Sequence, residues 1–301
     1  MPEITLKTAL HNIRILSLAL NLPGPAALMR LQAMGAQCTK IEGPQGDPMG
    51  HYNPVAYAQM HARVRTITLD LKTPAGQTAL HSQLANTDVL ITSFRPSALR
   101  KLQLDWSIVH NTHPQLSMVC IVGSPGERAE EPGHDLTYLA ENDLVTGLDL
   151  PATLYADMAG ALLCSEAVLQ TVLVQATQGT ASYHEVALSN AAAHLALPRA
   201  WGLTLPAGEV GGAHAGYRVY ACADGRVAVA ALEPHFALAL CQAAGIAVNA
   251  DAFKVNLIHG LMQQPLTQQQ LAAFFRNRSC QQLTELAQTH DIPMFSMKNR
   301  L

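Results

Sequence analysis

The sequence predicts an α/β fold with a parallel sheet, followed by a smaller α+β domain. Short apolar runs alternate with segments of helical periodicity up to about residue 122. Mostly helical sequence follows residue 134, and a strand pattern surrounds Asp224-Gly225. The 301 residues, 49% of them hydrophobic, are enough for two unequal domains with a substantial core.

The first strand–helix–strand unit occupies about 30 residues. Residues 13–20 form an apolar run typical of a buried strand, and residues 21–25 contain the glycine and prolines of a turn. Apolar residues recur at helical spacing over 26–34, with Gly35 as the C-cap, and residues 37–42 are the next strand. This unit is the building block of a parallel sheet.

The alternation continues through the first half of the chain. Strands are predicted at 66–70, 88–92 and 116–122, and helices at 73–84 and 97–102. Such alternation favours an open, Rossmann-like parallel sheet.

Long helical segments and one hairpin characterise the second half. Helices are predicted at 136–146, 156–178 and 183–197, and residues 234–290 are mostly helical. A glycine-rich stretch precedes two strand-like runs around the Asp224-Gly225 turn, which predicts a hairpin. We therefore predict a large domain at 1–204 and a small α+β domain at 205–301.

Composition limits the partners and the location. Charged residues make up 14% of the chain, below the roughly 25% of an average soluble domain, which favours a surface partly buried in an oligomer. The formal net charge of −3 does not suggest a nucleic-acid partner. Because no apolar run approaches about 20 residues and residues 1–8 lack a signal-peptide pattern, we expect a cytoplasmic protein without a membrane span.

The cysteines and histidines indicate neither disulfides nor a metal. The six cysteines are scattered and form no Cys-x-x-Cys, which is typical of buried or incidental thiols. The thirteen histidines show no paired ligand spacing. The first turn lacks Gly-x-Gly-x-x-Gly, which argues against NAD or FAD. No metal site and no separate cofactor are predicted.

Three basic residues lie at strand ends or in the loops beside them: Lys40, Arg65 and Arg95. Ligands of parallel sheets usually bind at the carboxyl ends of the strands, and basic side chains there can hold phosphates. Ordinary surface charge is the alternative for each of them.

Three further residues each stand at the beginning of a predicted helix: His134, Asp157 and Glu233. Each position suits a helix cap or helix entry, and position alone does not distinguish that role from catalysis.

Seven segments, in order, resemble the family III CoA-transferases together with the α-methylacyl-CoA racemases. Pro132–Ala140 contains the Gly-His-Asp run that is similar to the racemase branch. The other six segments are Ile13–Glu42, Gly43–Pro48, Leu69–Lys72, Ser93–Pro96, Tyr220–Gly225 and Ala231–Pro234.

The resemblance implies an intertwined homodimer, with the active site between the large domain of one subunit and the small domain of the other. It implies that the CoA part of an acyl-CoA substrate binds Lys40, Arg95 and neighbouring residues, with Lys72 and Arg65 as further candidates. His134 and Asp157 would be an acid/base pair, and the second subunit's Glu233 would orient His134. The resemblance also implies a shortened C-terminal return to the large domain.

Three functions remain open. The first is an acyl-CoA racemase or epimerase, in which a base and an acid on opposite faces exchange the proton alpha to the thioester. An acid of this kind needs a carboxyl pKa raised by burial. The second is a CoA-transferase with Asp157 as nucleophile, and the third is a non-catalytic acyl-CoA-binding homodimer. The family's aspartate usually follows glycine, whereas Tyr155-Ala156 precedes Asp157 in this sequence.

Overall fold

The computed structural model describes residues 8–248 and 255–299. The chain divides into two compact units, the first ending at Ala196 and the second beginning at Leu197. This division falls slightly before the predicted boundary at residue 204.

A six-stranded parallel sheet forms the centre of the first unit, in the order β3-β2-β1-β4-β5-β6. Strands β4 and β5 are buried along their whole length, as expected where helices cover both faces of a sheet. The strands are β1 Arg14–Ser17, β2 Gln37–Glu42, β3 Arg65–Thr68, β4 Val89–Thr92, β5 Ser117–Val122 and β6 Tyr183–Ala187. The predicted α/β class is confirmed, but β6 replaces the beginning of a predicted helix.

Nine helices of the first unit lie within the described residues, and five of them begin with proline, whose fixed φ suits the first helical position. Asp47 caps α2 by accepting the Met49 N–H, and Thr73 caps α4 in the same way through Gly76. The helices are α1 Pro23–Ala33, α2 Pro48–Tyr52, α3 Pro54–His61, α4 Pro74–Leu84, α5 Pro96–Lys101, α6 Trp106–Thr112, α7 Asp135–Glu141, α8 Tyr155–Gln178 and α9 Leu188–Leu195.

The 24-residue helix α8 packs against α1 and α9 and against strands β5 and β6. Gly160 gives Leu188 room on this face, since a Cβ at residue 160 would collide with the Leu188 side chain. Among the described residues, α8 is the one helix long and apolar enough to cross a membrane, with a mean hydropathy of 1.4 over its best window. The sequence prediction did not anticipate this. Length and composition alone do not distinguish such a helix from the core helix of a globular protein.

The second unit is α+β, as predicted. Strand β7 pairs antiparallel with β8 around the Asp224 turn, and β9 pairs with the other edge of β8. Val227, Leu240 and Phe275 are fully buried in its core. The strands are β7 Tyr217–Cys222, β8 Gly225–Ala230 and β9 Met294–Lys298, and the helices are α10 Leu197–Ala200, α11 Pro234–Ala243, α12 Val255–Met262, α13 Pro265–Arg276 and α14 Cys280–His290.

Candidate active site

A cavity of 650 Å³ lies in the first unit where the chain leaves the central strands. Residues 20–23 follow β1, residues 93–95 follow β4, and residues 121–123 comprise the last two residues of β5 and the one after it, and all of them line the cavity. The strand order reverses between β1 and β4. Ligands of open α/β sheets bind at this crevice, at the carboxyl ends of the strands.

His134 and Asp157 both line this cavity, so the structure brings the predicted acid/base pair together. His134 is exposed and has extended backbone angles directly before α7. Its N–H donates to Thr137 Oγ1 over 3.1 Å, and the Thr137 hydroxyl donates back to the His134 carbonyl over 2.8 Å. These two bonds fix the backbone from which the imidazole projects.

Tyr138 explains why glycine precedes His134. A Cβ at Gly133 would lie 2.6 Å from the Tyr138 ring, and one at Gly123 would collide with the Tyr138 hydroxyl. The ring therefore packs directly on two stretches of bare backbone at the cavity wall. Burial raises the pKa of Tyr138, the Asp157 charge adds to this rise, and Arg95 opposes it.

Asp157 lies in the first turn of α8 and is half-buried. Burial raises the pKa of its carboxyl to about 6, with a further contribution from the Asp135 charge and an opposing one from His134. This is the direction that an acid in a proton-transfer pair requires.

Asp135 has a role that the sequence reasoning missed. Its buried carboxylate accepts the backbone N–H of Asp157 over 3.0 Å. This bond holds the beginning of α8 against α7 and satisfies one of the N–H groups that a helix leaves unpaired in its first turn. The position of Asp135 next to His134 in the Gly-His-Asp run was the sequence feature that could have indicated this role.

Lys40 is fully buried in a cluster of polar side chains, which corrects its predicted contact with phosphate. Its ammonium pairs with Glu42 over 3.0 Å, pairs closely with Asp47, and lies 3.1 Å from His61 Nε2. A side chain that solvent does not reach and that two carboxylates already neutralise has no donor left for CoA.

The Lys40 cluster instead supports the cavity wall. Asp47 accepts the N–H of Asn21, with 3.1 and 3.2 Å to its two carboxylate oxygens. Asn21 lines the cavity and has a left-handed φ of 63°. The Lys40–Asp47 pair therefore holds an unfavourable backbone turn in place beside the site.

Comparison with known proteins identifies the family. Residues 10–300 match the sequence model of CoA-transferase family III. The chain belongs to this family. The human "Alpha-methylacyl-CoA racemase" is 28% identical over 256 residues, covering 79% of this chain and 65% of the relative. The "Cinnamoyl-CoA:phenyllactate CoA-transferase" of Clostridium sporogenes is 31% identical over 148 residues, or 45% of this chain and 36% of the relative. The chain thus spans less than two thirds of the length of these two relatives.

Two solved structures share the fold. A hypothetical protein of Mycobacterium tuberculosis superposes with a TM-score of 0.81 at 22% identity, covering 95% of this chain and 83% of its own. A CaiB/BaiF family protein of Brucella suis superposes with a TM-score of 0.79 at 24% identity, covering 97% of this chain and 85% of its own. At these identities the likeness establishes the architecture.

Of the other basic residues predicted to bind CoA in this family III chain, the structure brings one to the cavity. Arg95 lines it, directly before α5, with an exposed side chain. Lys72 is exposed in the loop after β3 and is not among the lining residues. Arg65 is the first residue of β3 and so lies at the amino ends of the parallel strands, whereas its predicted place was the carboxyl, ligand-binding edge; that prediction is wrong.

Glu233 belongs to the second unit, where it is exposed immediately before α11. This position agrees with helix entry. Its action on His134 from a second subunit stays a prediction.

The raised pKa of Asp157 predicts that Asp157→Asn stabilises the protein at pH 8. The folded-state pKa of about 6 exceeds the ordinary 3.8, so the ionised carboxylate destabilises the fold above pH 6, and this cost disappears as the pH falls from about 6 towards 4. Two pKa units correspond to about 3 kcal/mol, which partial exposure reduces to about 1–2 kcal/mol. Urea unfolding at pH 8 and at pH 4 measures the difference.

The exposed Asp149→Asn is the matched control, with a stability change of less than about 0.5 kcal/mol at both pH values. An Asp157→Asn variant that is less stable than wild type at pH 8 would contradict the raised pKa.

Proposed function

We propose that this protein is an acyl-CoA racemase or epimerase that exchanges the proton alpha to the thioester carbonyl. The observation that carries the proposal is that His134 and Asp157 both line one cavity, with the pKa of Asp157 raised to about 6. Proton exchange needs one proton acceptor and one proton donor around the same carbon atom.

The two groups can exchange these roles with the direction of reaction. In one direction neutral His134 removes the alpha proton while the protonated Asp157 delivers one to the opposite face. In the other, ionised Asp157 removes the proton and His134 delivers it. With a pKa of about 6, roughly a tenth of Asp157 is protonated at pH 7, so both forms are populated. Asp135 supports this by raising the proton affinity of Asp157.

The cavity suits an apolar acyl group next to an anionic carrier. Five leucines line it, together with Arg95 in the loop after β4. In the proposed complex Arg95 binds CoA phosphate, with Lys72 as a more distant contact. The leucines are Leu20, Leu22, Leu136, Leu154 and Leu188. A 2-methylacyl-CoA has both an apolar acyl group for the leucines and phosphates for Arg95.

The proposed assembly is an intertwined homodimer in the cytoplasm. In it the partner's small domain brings Glu233 to His134, where the carboxylate fixes the imidazole tautomer by accepting a ring N–H. Exposed Glu233 in the second unit supports this arrangement because its carboxylate is available to another chain.

A CoA-transferase is the second candidate, because Asp157 lines the cavity and a CoA-transferase relative shares 31% identity over 148 residues. In this reaction the Asp157 carboxylate attacks the thioester carbonyl, expels the CoA thiolate and becomes an acyl anhydride. His134 has no obligatory part in that chemistry.

One experiment distinguishes the candidates. A single epimer of a 2-methylacyl-CoA is incubated with the protein in deuterated buffer, and proton NMR follows the alpha proton while chiral chromatography follows inversion. We expect deuterium at the alpha carbon together with the second epimer. A parallel reaction with a free carboxylic acid measures CoA transfer by mass spectrometry. Transfer without exchange would establish the second candidate, and binding without either reaction would establish a non-catalytic acyl-CoA-binding protein.

A further inference from the structure

Three potential metal ligands meet at one end of the small sheet in the second unit. Cys222 ends β7, Asp224 lies in the following turn, and Cys280 begins α14. One donor atom from each lies within 4.8 Å of the others. The two cysteines are 58 residues apart in sequence, which is why no ligand spacing was visible in the sequence.

The distances between these atoms fit a tetrahedral ion. The two sulfurs are 3.6 Å apart, and Cys222 Sγ is 4.0 Å from Asp224 Oδ1. Zinc–sulfur bonds of about 2.3 Å at tetrahedral angles place two ligating sulfurs about 3.8 Å apart. A disulfide would instead require the sulfurs to approach to about 2.0 Å.

The carboxylate is held beside the sulfurs by the backbone. The Cys280 N–H at the beginning of α14 donates to Asp224 Oδ1 over 2.6 Å. This bond orients the carboxylate, and the exposed side of Asp224 gives an ion access from solvent.

Both thiols are buried beside the Asp224 carboxylate. A dication at the centre of the three donors stabilises two thiolates next to that carboxylate.

We propose that Cys222, Asp224 and Cys280 bind one thiophilic divalent cation of the zinc type, with water as the fourth ligand. The ion joins the β7–β8 turn to the first residue of α14. Binding releases the thiol protons and stabilises the second unit independently of the acyl-CoA site.

Cobalt substitution tests the site in the full chain. Tag-free protein, freed of metal and reduced with a phosphine, is titrated with Co²⁺ alone. We expect one equivalent to produce the thiolate-to-cobalt charge-transfer band and the strong visible bands of a tetrahedral complex, and Zn²⁺ to displace them. Zn²⁺ also raises the Tm.

Matched variants make the test specific. Cys222→Ser and Cys280→Ser lose the cobalt spectrum, whereas Cys241→Ala, which removes a buried thiol elsewhere in the second unit, keeps it. Asp224→Asn weakens cobalt binding by at least about tenfold and leaves both thiols in place. Far-ultraviolet circular dichroism of each metal-free variant verifies that it is folded.

Two results would overturn the proposal. One is a wild-type cobalt spectrum that the Cys222→Ser and Asp224→Asn variants reproduce with equal affinity. The other is a reduced wild-type protein that gains neither charge-transfer absorption nor thermal stability from one equivalent of metal.

Discussion

His134→Ala and Asp157→Asn are each expected to slow epimerisation strongly while retaining proton exchange with opposite epimers of the 2-methylacyl-CoA. In the proposed complex the alpha proton of one epimer faces His134, and that of the other faces Asp157. When one group is removed, the other still removes and returns the proton on its own face. Inversion requires both groups, so we expect its rate to fall by about 10²–10⁴-fold in each variant.

The measurement uses both pure epimers at pH 8, where the Asp157 carboxyl with its pKa of about 6 is mostly ionised and able to act as a base. Deuterium incorporation is followed separately for each epimer, and His11→Ala, an exposed histidine in the first unit, is the control with unchanged rates. If His134→Ala exchanges deuterium with both epimers as fast as wild type, His134 is not a base in this reaction.

The architecture was accessible from the sequence because periodicity and turn residues report local structure. The strand–helix alternation predicted the parallel sheet, and the Asp224-Gly225 turn predicted the β7–β8 hairpin. Strand β6 was missed because residues 183–187 directly precede helix α9, and the two were assigned to a single helix. Its pairing with β5 is a long-range contact, which local patterns do not contain.

Only part of the site could be predicted, because sequence patterns report local structure and not long-range contacts. The resemblance carried by the Gly-His-Asp run, together with the helix predicted from residue 156, singled out His134 and Asp157, which line one cavity. The bond from the Asp157 N–H to Asp135 joins residues 22 positions apart and follows from the packing of α7 against α8. The burial of Lys40 could not be predicted from the sequence either. Helices cover both faces of a parallel sheet, so the alternation of polar and apolar residues along a strand does not show which polar side chain is buried.

Lys40→Met is expected to destabilise the first unit by about 3–5 kcal/mol, because it leaves the buried carboxylates of Glu42 and Asp47 without their cation. Urea unfolding of the whole chain at pH 7.5 measures the loss. Adding Asp47→Asn to this variant recovers part of it, since one uncompensated buried charge is removed. The exposed Lys72→Met is the matched control, with a change of less than about 0.5 kcal/mol.

The affinity for a CoA ester distinguishes a residue that stabilises the fold, as we expect of Lys40, from one that contacts CoA phosphate, as we expect of Arg95. At temperatures where Lys40→Met remains folded, we expect its affinity for an acyl-CoA to fall less than that of Arg95→Ala, because the enclosed ammonium does not reach the ligand and acts only through Asp47 and Asn21 on the cavity wall. Arg95→Ala should keep its stability but bind about 10–100-fold more weakly, as is typical for the loss of a charged hydrogen bond. Calorimetric titration of both variants measures this difference. If Lys40→Met is as stable as wild type but binds the CoA ester more weakly, Lys40 contacts the ligand directly. That result would contradict its role in a buried ion-pair cluster.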